Sequence, residues 1–492
     1  MKNRYKKLYY KYIILTICLF SLAFVMKCNI NKTYKKAVSQ YNKGEYELAI
    51  NNFKKLGDFK ETYNYIDKAQ KYIDYNTALD YFGKEEYDEA YLIFNKLEDF
   101  EDSKEQKVKV LYAKAISLYN KCDYANAEII FAQIEDYEDS SLYKAQCAIR
   151  LVENEKEELY NYAISLTNEK KYKDALDVFN QIEDYRESKA LSANCERMIK
   201  AKTISAGIPC VIAINKNGRV KIADNDSGFN FDGWENVISI SGKGSLVLGL
   251  DNTGKTYATA MNGYPYDIDV SSWDDIVEIS TGEMFGIGLK ADHTIVGIGR
   301  NVDGQLNIED WTNIISIATT YRMSVGLDNE GNLHFAGNHQ ERFQKLYNNI
   351  KSKIGTIVSI DAGGGREKES LGHVLILNDQ NQLFMLGDDF ENNKMEYLEN
   401  IKYYSCGNEH LIAISYDNNL ICIGKPGTID YLGQNEKEKM DKWAVDKIVD
   451  ISAGYSLTVA LYDTGEIFAA GNEHEGQMNS NRWTDIKVIE RY

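Results

Sequence analysis

The chain has 492 residues, 44% of them hydrophobic, which is material for more than one core and predicts a division into domains. The formal charge is −17, yet Met1 to Thr33 carries seven basic residues and no acid, so +7 sits there and −24 in the remainder. A body that acidic repels phosphate backbones and argues against a nucleic-acid partner, and eight scattered cysteines without a C-x-x-C pair argue against a zinc or disulfide framework.

Lys2, Arg4, Lys6, Lys7 and Lys11 precede a largely apolar run from Tyr12 to Met26. Basic flanks stay in the cytoplasm, so the downstream chain is expected to face outward. Small residues suited to cleavage (Ser21, Ala23) lie inside the apolar run, and Lys27 ahead of Cys28 argues against lipoprotein processing. Residues 1–30 therefore read as an uncleaved single-pass anchor, with secretion after cleavage as the alternative. The excess of Asn, Lys, Ile and Tyr, with three prolines, points to an AT-rich bacterial genome.

Four segments then align, starting at Ala37, Ala78, Ala115 and Ala163. Each carries a tyrosine nine residues on (Tyr46, Tyr87, Tyr124, Tyr172). Alanine follows three later (Ala49, Ala90, Ala127, Ala175) and phenylalanine seven later (Phe53, Phe94, Phe131, Phe179). Those offsets share one helical face, so each repeat predicts two helices that bury their stripes only by stacking. GEYELAINNF, the second-helix pattern of the first copy, resembles the tetratricopeptide (TPR) repeat. Two features depart from it: the glycine is kept only at Gly44, and Asp-Phe or Asp-Tyr stands where the closing proline usually is. The resemblance implies a TPR-like α-solenoid over residues 31–200, of a kind that binds proteins or serves as a spacer.

From about Gly207 the apolar period shifts from helical to alternating, and all five tryptophans lie beyond it. A unit W-x-x-I-V-x-I-S-x-G, a strand, a D-x-x-G turn and another strand recurs, with middle strands CVIAI, SLVLGL, FGIGL, MSVGL, HVLIL, HLIAI and SLTVAL. Seven short sheets in tandem bury their faces only by packing radially. The C-terminal WTDIKVIERY reads as an early strand that completes the first sheet and removes its open edge. GRNVDGQLNIEDW (299–311) returns as GNEHEGQMNSNRW (471–483). Its glycines end a strand and allow a turn, its glutamines Gln305 and Gln477 serve loop backbone groups, and its tryptophans plug between sheets. These loops, the following W-x-x-I and the Gly-x-x-His/Ser before an apolar strand resemble the regulator-of-chromosome-condensation repeat. The fold class implied is α followed by β: membrane helix, TPR-like solenoid, and a seven-bladed propeller over residues 205–492. Ile354 and Leu398 hold the tryptophan position in two blades, and Trp443 is displaced by two.

No motif for chemistry emerges. The six histidines form no H-E-x-x-H or metal pair, and His373 and His410 fall at packing positions. Asp224 to Glu235 spaces acids like a calcium loop but has Phe229 where glycine is needed. AGGGREKES (362–370) lacks the ending of a phosphate loop and reads as a turn. No catalytic, cofactor-binding or metal residues are assigned. The loops following Gly337 and Gly424 are lengthened, and equivalent loops of a disk emerge on one face, so Arg342, Phe343, Tyr347, Tyr431 and Trp443 are the candidate binding residues. The expected function is a membrane-anchored extracytoplasmic scaffold that binds protein partners without catalysis. Alternatives are an inhibitor or sequestering factor for a secreted enzyme, by analogy with compact bacterial propellers that inhibit β-lactamase, and a polysaccharide-binding or enzymatic propeller using its central funnel.

Overall fold

The computed structural model describes residues 2–207, 210–223, 227–366, 369–387, 397–408, 410–424, 440, 443–471 and 477–489. Two compact units emerge, residues 1–157 and 158–492.

The first unit is helical: α1 (Lys2–Asn42), α2 (Tyr46–Lys54), α3 (Thr62–Gly83), α4 (Tyr87–Leu97), α5 (Ser103–Asn120), α6 (Tyr124–Gln133) and the start of α7 (Ser140–Asn168). The N-terminal part of α1 is long and apolar enough to cross a membrane or act as a signal sequence, and its apolar residues lie exposed. The helix continues unbroken past residue 30 to Ala37, which is buried against Ala49 and Phe53. The repeat positions read from the sequence form the cores. Ala78, Ala90 and Phe94 make one cluster, and Ala115, Ala127 and Phe131 the next. The alanines let neighbouring helices approach and the phenylalanines fill the space beyond.

One recurrent feature escaped the sequence reading. Thr62, Ser103, Ser140 and Ser188 are fully buried, each the first residue of a helix. In the last three copies the backbone N–H of the serine donates to the carbonyl of the aromatic three residues earlier, at 3.0–3.1 Å (Phe100, Tyr137, Tyr185). Two residues before each small residue the chain takes a positive φ at Lys60, Glu101, Glu138 and Arg186. Asp-Phe/Tyr-x-x-Ser/Thr is thus a tight corner, in which a small side chain is required where the next helix starts against its predecessor.

In the second unit, Ala163 of α7 packs with Ala175 and Phe179 of α8 (Tyr172–Gln181), and α9 (Ser188–Lys200) leads into small antiparallel sheets, seven among the described residues. They are β1 (Ile204–Ala206), β2 (Val211–Ile214), β3 (Val220–Ala223); β4 (Val237–Ser241), β5 (Leu246–Asp251), β6 (Thr256–Ala260); β7 (Ile276–Thr281), β8 (Phe285–Lys290), β9 (Ile295–Gly299); and β10 (Ile314–Thr319), β11 (Met323–Asp328), β12 (Leu333–Gly337). After helix α10 (Gln340–Ile354) come β13 (Ile357–Gly363), β14 (His373–Asn378), β15 (Leu383–Gly387), β16 (Tyr397–Leu398); β17 (Ile401–Cys406), β18 (His410–Ser415), β19 (Leu420–Gly424); and β20 (Ile448–Ala453), β21 (Leu457–Tyr462), β22 (Ile467–Gly471). First strands neighbour one another in sequence order, and β1 packs on both β4 and β20. The arrangement is propeller-like.

Middle strands are buried over almost their whole length because both faces are covered by neighbouring sheets. Tryptophan and glycine are complementary here. A Cβ on Gly249, Gly288 or Gly326 would lie 2.4–2.8 Å from the ring of Trp234, Trp273 or Trp311. At the register-equivalent positions Ala460 clusters with Trp443 and Ala213 with Trp483, whereas Ile376 clusters with the smaller Ile354. Each large plug faces a residue small enough to admit it.

The first sheet is closed differently from the sequence expectation. Among the described residues the backbone of the C-terminal segment pairs with it at the Asn215–Ile486 bridge and the flanking bonds Lys216 N–H to Asp485 O and Lys487 N–H to Ile214 O, both 2.8 Å, and Asp485 also pairs with Lys221 of β3. The body of the inner strand is β1, from the other end of the domain, because Ile204 already occupies the partner position on Ala213. Ile486 and Ile204 thus flank the point at which the six other inner strands carry an irregularity of register. The seam lies where a bulge is tolerated.

Candidate functional site

The inner strands surround a central cavity of about 340 Å³. The recurrent Ser of I-S-x-G is the rivet between sheets. Ser205 accepts from Gly242 N–H at 3.0 Å, Ser241 from Thr281 N–H at 3.0 Å, and Ser405 from Ala453 N–H at 3.0 Å. Ser452 accepts from Ala206 N–H at 2.9 Å, so the last sheet joins the first by the same bond. Ser280 instead shares a hydroxyl contact of 2.9 Å with Thr319.

Asp361 stands at this position in the fifth sheet and accepts from Cys406 N–H at 2.9 Å. Its charge is answered from across the cavity. Lys243 Nζ lies 3.4 Å from Asp361, donates to Thr319 O at 3.2 Å and also reaches Ala362 O; Lys202 lies 3.9 Å from the carboxylate. Burial pushes the Asp361 carboxyl up, but the two ammonium groups, together with the backbone N–H groups of Cys406 and Ala362, outweigh it and hold it below its ordinary value. Lys243 is a crossbar at the end of the cavity where the first strands finish.

The opposite end is closed by α9. Lys200 pairs with Glu196 at 2.9 Å and Glu278 at 3.4 Å and donates to Ile315 O. Burial pulls the Lys200 ammonium down, and Glu278 and Glu196 more than offset this, so its pKa is raised. Arg197, only 4% exposed, donates to Ile276 O at 2.8 Å and packs over Gly254, whose Cβ would come within 2.6 Å of the guanidinium. Replacing Arg197 by methionine is expected to cost roughly 1.5–3 kcal/mol, the range for a charge-assisted hydrogen bond. It should also raise hydrogen exchange in α9, and unchanged exchange would show that the helix is held by other contacts.

The sequence-derived binding residues are placed unevenly. α10 packs on the edge strand β12 and on β15, so the lengthened loop lies along the outer edge of its sheet and does not decorate a face. Its spacing explains this: Phe343, Tyr347 and Ile354 lie on one stripe and are buried among Leu333, Phe384 and Leu386. Tyr347 is further fixed by a 2.8 Å bond to Gly331 O. Phe343 and Tyr347 are therefore core residues, and Arg342, exposed, is the member of that group at the surface. Trp443 is a sheet plug in contact with the cluster of Tyr403, Met440 and Tyr462. Tyr431, like Asp224 of the calcium-like spacing, lies outside the described residues. Gln305 behaves as read: it is fully buried and accepts from Asp303 N–H at 2.9 Å. The Gln477 side chain lies outside the described set.

His373 and His410 are buried. His410 Nε2 contacts Thr458 Oγ1 at 2.8 Å, and burial lowers its pKa to about 4. An unfolded histidine takes up its proton near pH 6.5, and the folded one only near 4. Stability is therefore intact above pH 6.5 and falls as pH drops toward 4, by up to about 3 kcal/mol. Urea unfolding at pH 7 and pH 4.5 measures this, and His410→Asn should flatten the difference.

Residues 448–477 match the family model of the regulator of chromosome condensation (RCC1) repeat. With the sheet order and the recurrent inner strand, the C-terminal domain is propeller-like and carries one segment that matches this repeat. Among solved structures, human WBSCR16 is similar at 15% identity, covering 54% of this chain and 87% of that one, with a TM-score of 0.41. Prp20p from Saccharomyces cerevisiae, whose structure is described together with its binding to Gsp1p and histones, is 16% identical over 52% of this chain and 78% of that one, at 0.36. The CRINKLY WD40 ectodomain of the Arabidopsis thaliana receptor kinase ACR4 is 14% identical over 56% and 96%, at 0.38. No curated protein matches.

Proposed function

We propose that this chain is a membrane-anchored, extracytoplasmic protein-binding scaffold without catalytic activity, of bacterial origin. A TPR-like solenoid over residues 31–200 carries a closed seven-bladed RCC1-like propeller over residues 205–492. One observation supports this reading most: the cavity at the propeller centre is spanned by Lys243 at one end and Lys200 at the other, and of the three carboxylates that line it Asp361 and Glu278 are each paired with lysine, Asp450 being the third. Those groups hold the blades together, and surfaces are left to do the recognition. A polysaccharide-binding or hydrolytic funnel needs carboxylates or stacked rings open to substrate. The outward orientation rests on the basic residues ahead of the apolar segment of α1.

Protease treatment of intact cells, followed by detection of a C-terminal tag, tests the topology. The scaffold reading expects digestion of the body, and survival of the full chain overturns its outward orientation. Affinity capture by the full chain from an envelope extract is expected to retain a defined protein at saturable stoichiometry, and retention of polysaccharide alone overturns the scaffold.

A further inference from the structure

The face opposite α9 has its own chemistry. α9 contacts the starts of β7 and β10; their ends lie about 17 Å away, five strand residues on. There the turns after successive inner strands are laced together. Ser245 N–H donates to Glu283 O at 2.8 Å, Glu283 N–H to Tyr321 O at 3.1 Å, and Tyr321 N–H to Gly364 O at 3.0 Å. The glycines of AGGGREKES now have a reason. Gly364 and Gly365 take φ of +71° and +74°, and a Cβ on Gly364 would lie 2.8 Å from Asn408 O. Only glycine brings that turn close enough to present Arg366 at the rim.

Three arginines gather on this rim. Arg300 and Arg322 share Asp303 at 3.0 and 3.5 Å, and Arg300 lies 3.5 Å from Glu283. Arg322 Nε donates to Arg366 O at 3.1 Å. The Arg366 guanidinium is exposed and sits 5.2 Å over the Tyr455 ring, and among the described residues it pairs with no carboxylate. Three guanidiniums thus face two carboxylates, on a protein whose body carries −24. A guanidinium laid on an aromatic ring and steadied by its neighbours loses little side-chain freedom when it takes a carboxylate in bidentate fashion. Arginine and tyrosine are also the residues that most often anchor protein interfaces.

We infer that this rim, centred on Arg366 and Tyr455, is the docking surface for an acidic segment of a partner protein. The inference rests on the scaffold reading and gives that scaffold a face and a partner chemistry. The net negative charge of the body disfavours such a segment over much of the surface, and the excess of guanidinium at this rim favours it here. The other end of the cavity is already taken by α9.

The test uses the full chain in detergent micelles and a short fluorescein-labelled poly-glutamate peptide, read by anisotropy. Saturable binding that weakens with salt is expected, with a loss of at least about tenfold in Arg366→Glu and in Tyr455→Ala. Arg219→Glu, an exposed arginine on the turn between β2 and β3, should bind as the parent does, and a poly-glutamine peptide should not bind. Equal affinity of the parent and Arg366→Glu overturns this face while leaving the scaffold reading intact. Tighter binding of a heparin oligosaccharide or an oligonucleotide than of the peptide overturns the acidic-protein assignment. Capture of sulfated polysaccharide with no peptide binding removes both. Unchanged tryptophan fluorescence of the variants verifies that they are folded.

Discussion

Replacing Asp361 by alanine is expected to destabilise the propeller domain by roughly 3–5 kcal/mol, the cost of leaving a buried charge without its partner. Lys243 is 18% exposed and Lys202 50%, so Lys243 bears most of the loss. Cys406 N–H loses its acceptor in the same step. Serine occupies the equivalent position at Ser205, Ser241, Ser280, Ser405 and Ser452, so Asp361→Ser combined with Lys243→Met should recover most of the stability. All five tryptophans lie beyond Gly207, and urea unfolding followed by their fluorescence therefore reports this domain alone. A single variant Asp361→Ala within about 0.5 kcal/mol of the parent would show that the cavity is wet enough to solvate Lys243 unaided. The acid dependence has a definite sign. The folded carboxyl is held below its ordinary value, so its contribution is complete above pH 4 and is lost as pH falls through the folded value.

Trp273→Ala should cost about 3–5 kcal/mol, the range for removing a large aromatic from a core. Gly288→Leu alone should cost about 1–3 kcal/mol, since even a Cβ there meets the Trp273 ring at 2.7 Å. The two changes are predicted to couple. In the double variant the leucine fills the space that the indole leaves, so the combined loss should be smaller than the sum of the single losses by 0.5–3 kcal/mol, on the order of other contacting pairs. Strict additivity would mean that plug and socket do not share one space. The blade with Ile354 opposite Ile376 shows the natural exchange, a smaller plug with a larger socket.

How much of this was legible in the sequence depends on the range of the contact. The repeat alanines and phenylalanines recur at helical spacing and fall in the cores. The middle strands with their glycines were equally plain, because a strand covered on both faces reads as a continuous apolar run. α10 was readable too: Phe343, Tyr347 and Ile354 have helical spacing, but their position in a lengthened loop drew attention to the surface. The serine of I-S-x-G was visible as a pattern and opaque as chemistry, since its partner lies on the next sheet, 37 to 48 residues away in most copies. Lys243 and Asp361 are 118 residues apart, and nothing local marks either as buried. Arg197 and Lys200 look like ordinary basic residues in the last turn of a helix. The rim is the extreme case, because Arg322, Arg366 and Tyr455 come from the turns after the first strands of three separate repeats and Arg300 from the end of a third strand.

Closure of the ring is the claim on which the scaffold depends, and amide hydrogen exchange along the inner strands tests it most directly. A closed ring predicts that Ala206 N–H, held by Ser452 across the seam, is protected as strongly as Thr281 N–H held by Ser241, and that residues 484–488 exchange with the same slow class. Fast exchange at Ala206 and residues 484–488, with protection retained at Thr281, would describe an open stack of sheets and contradict it.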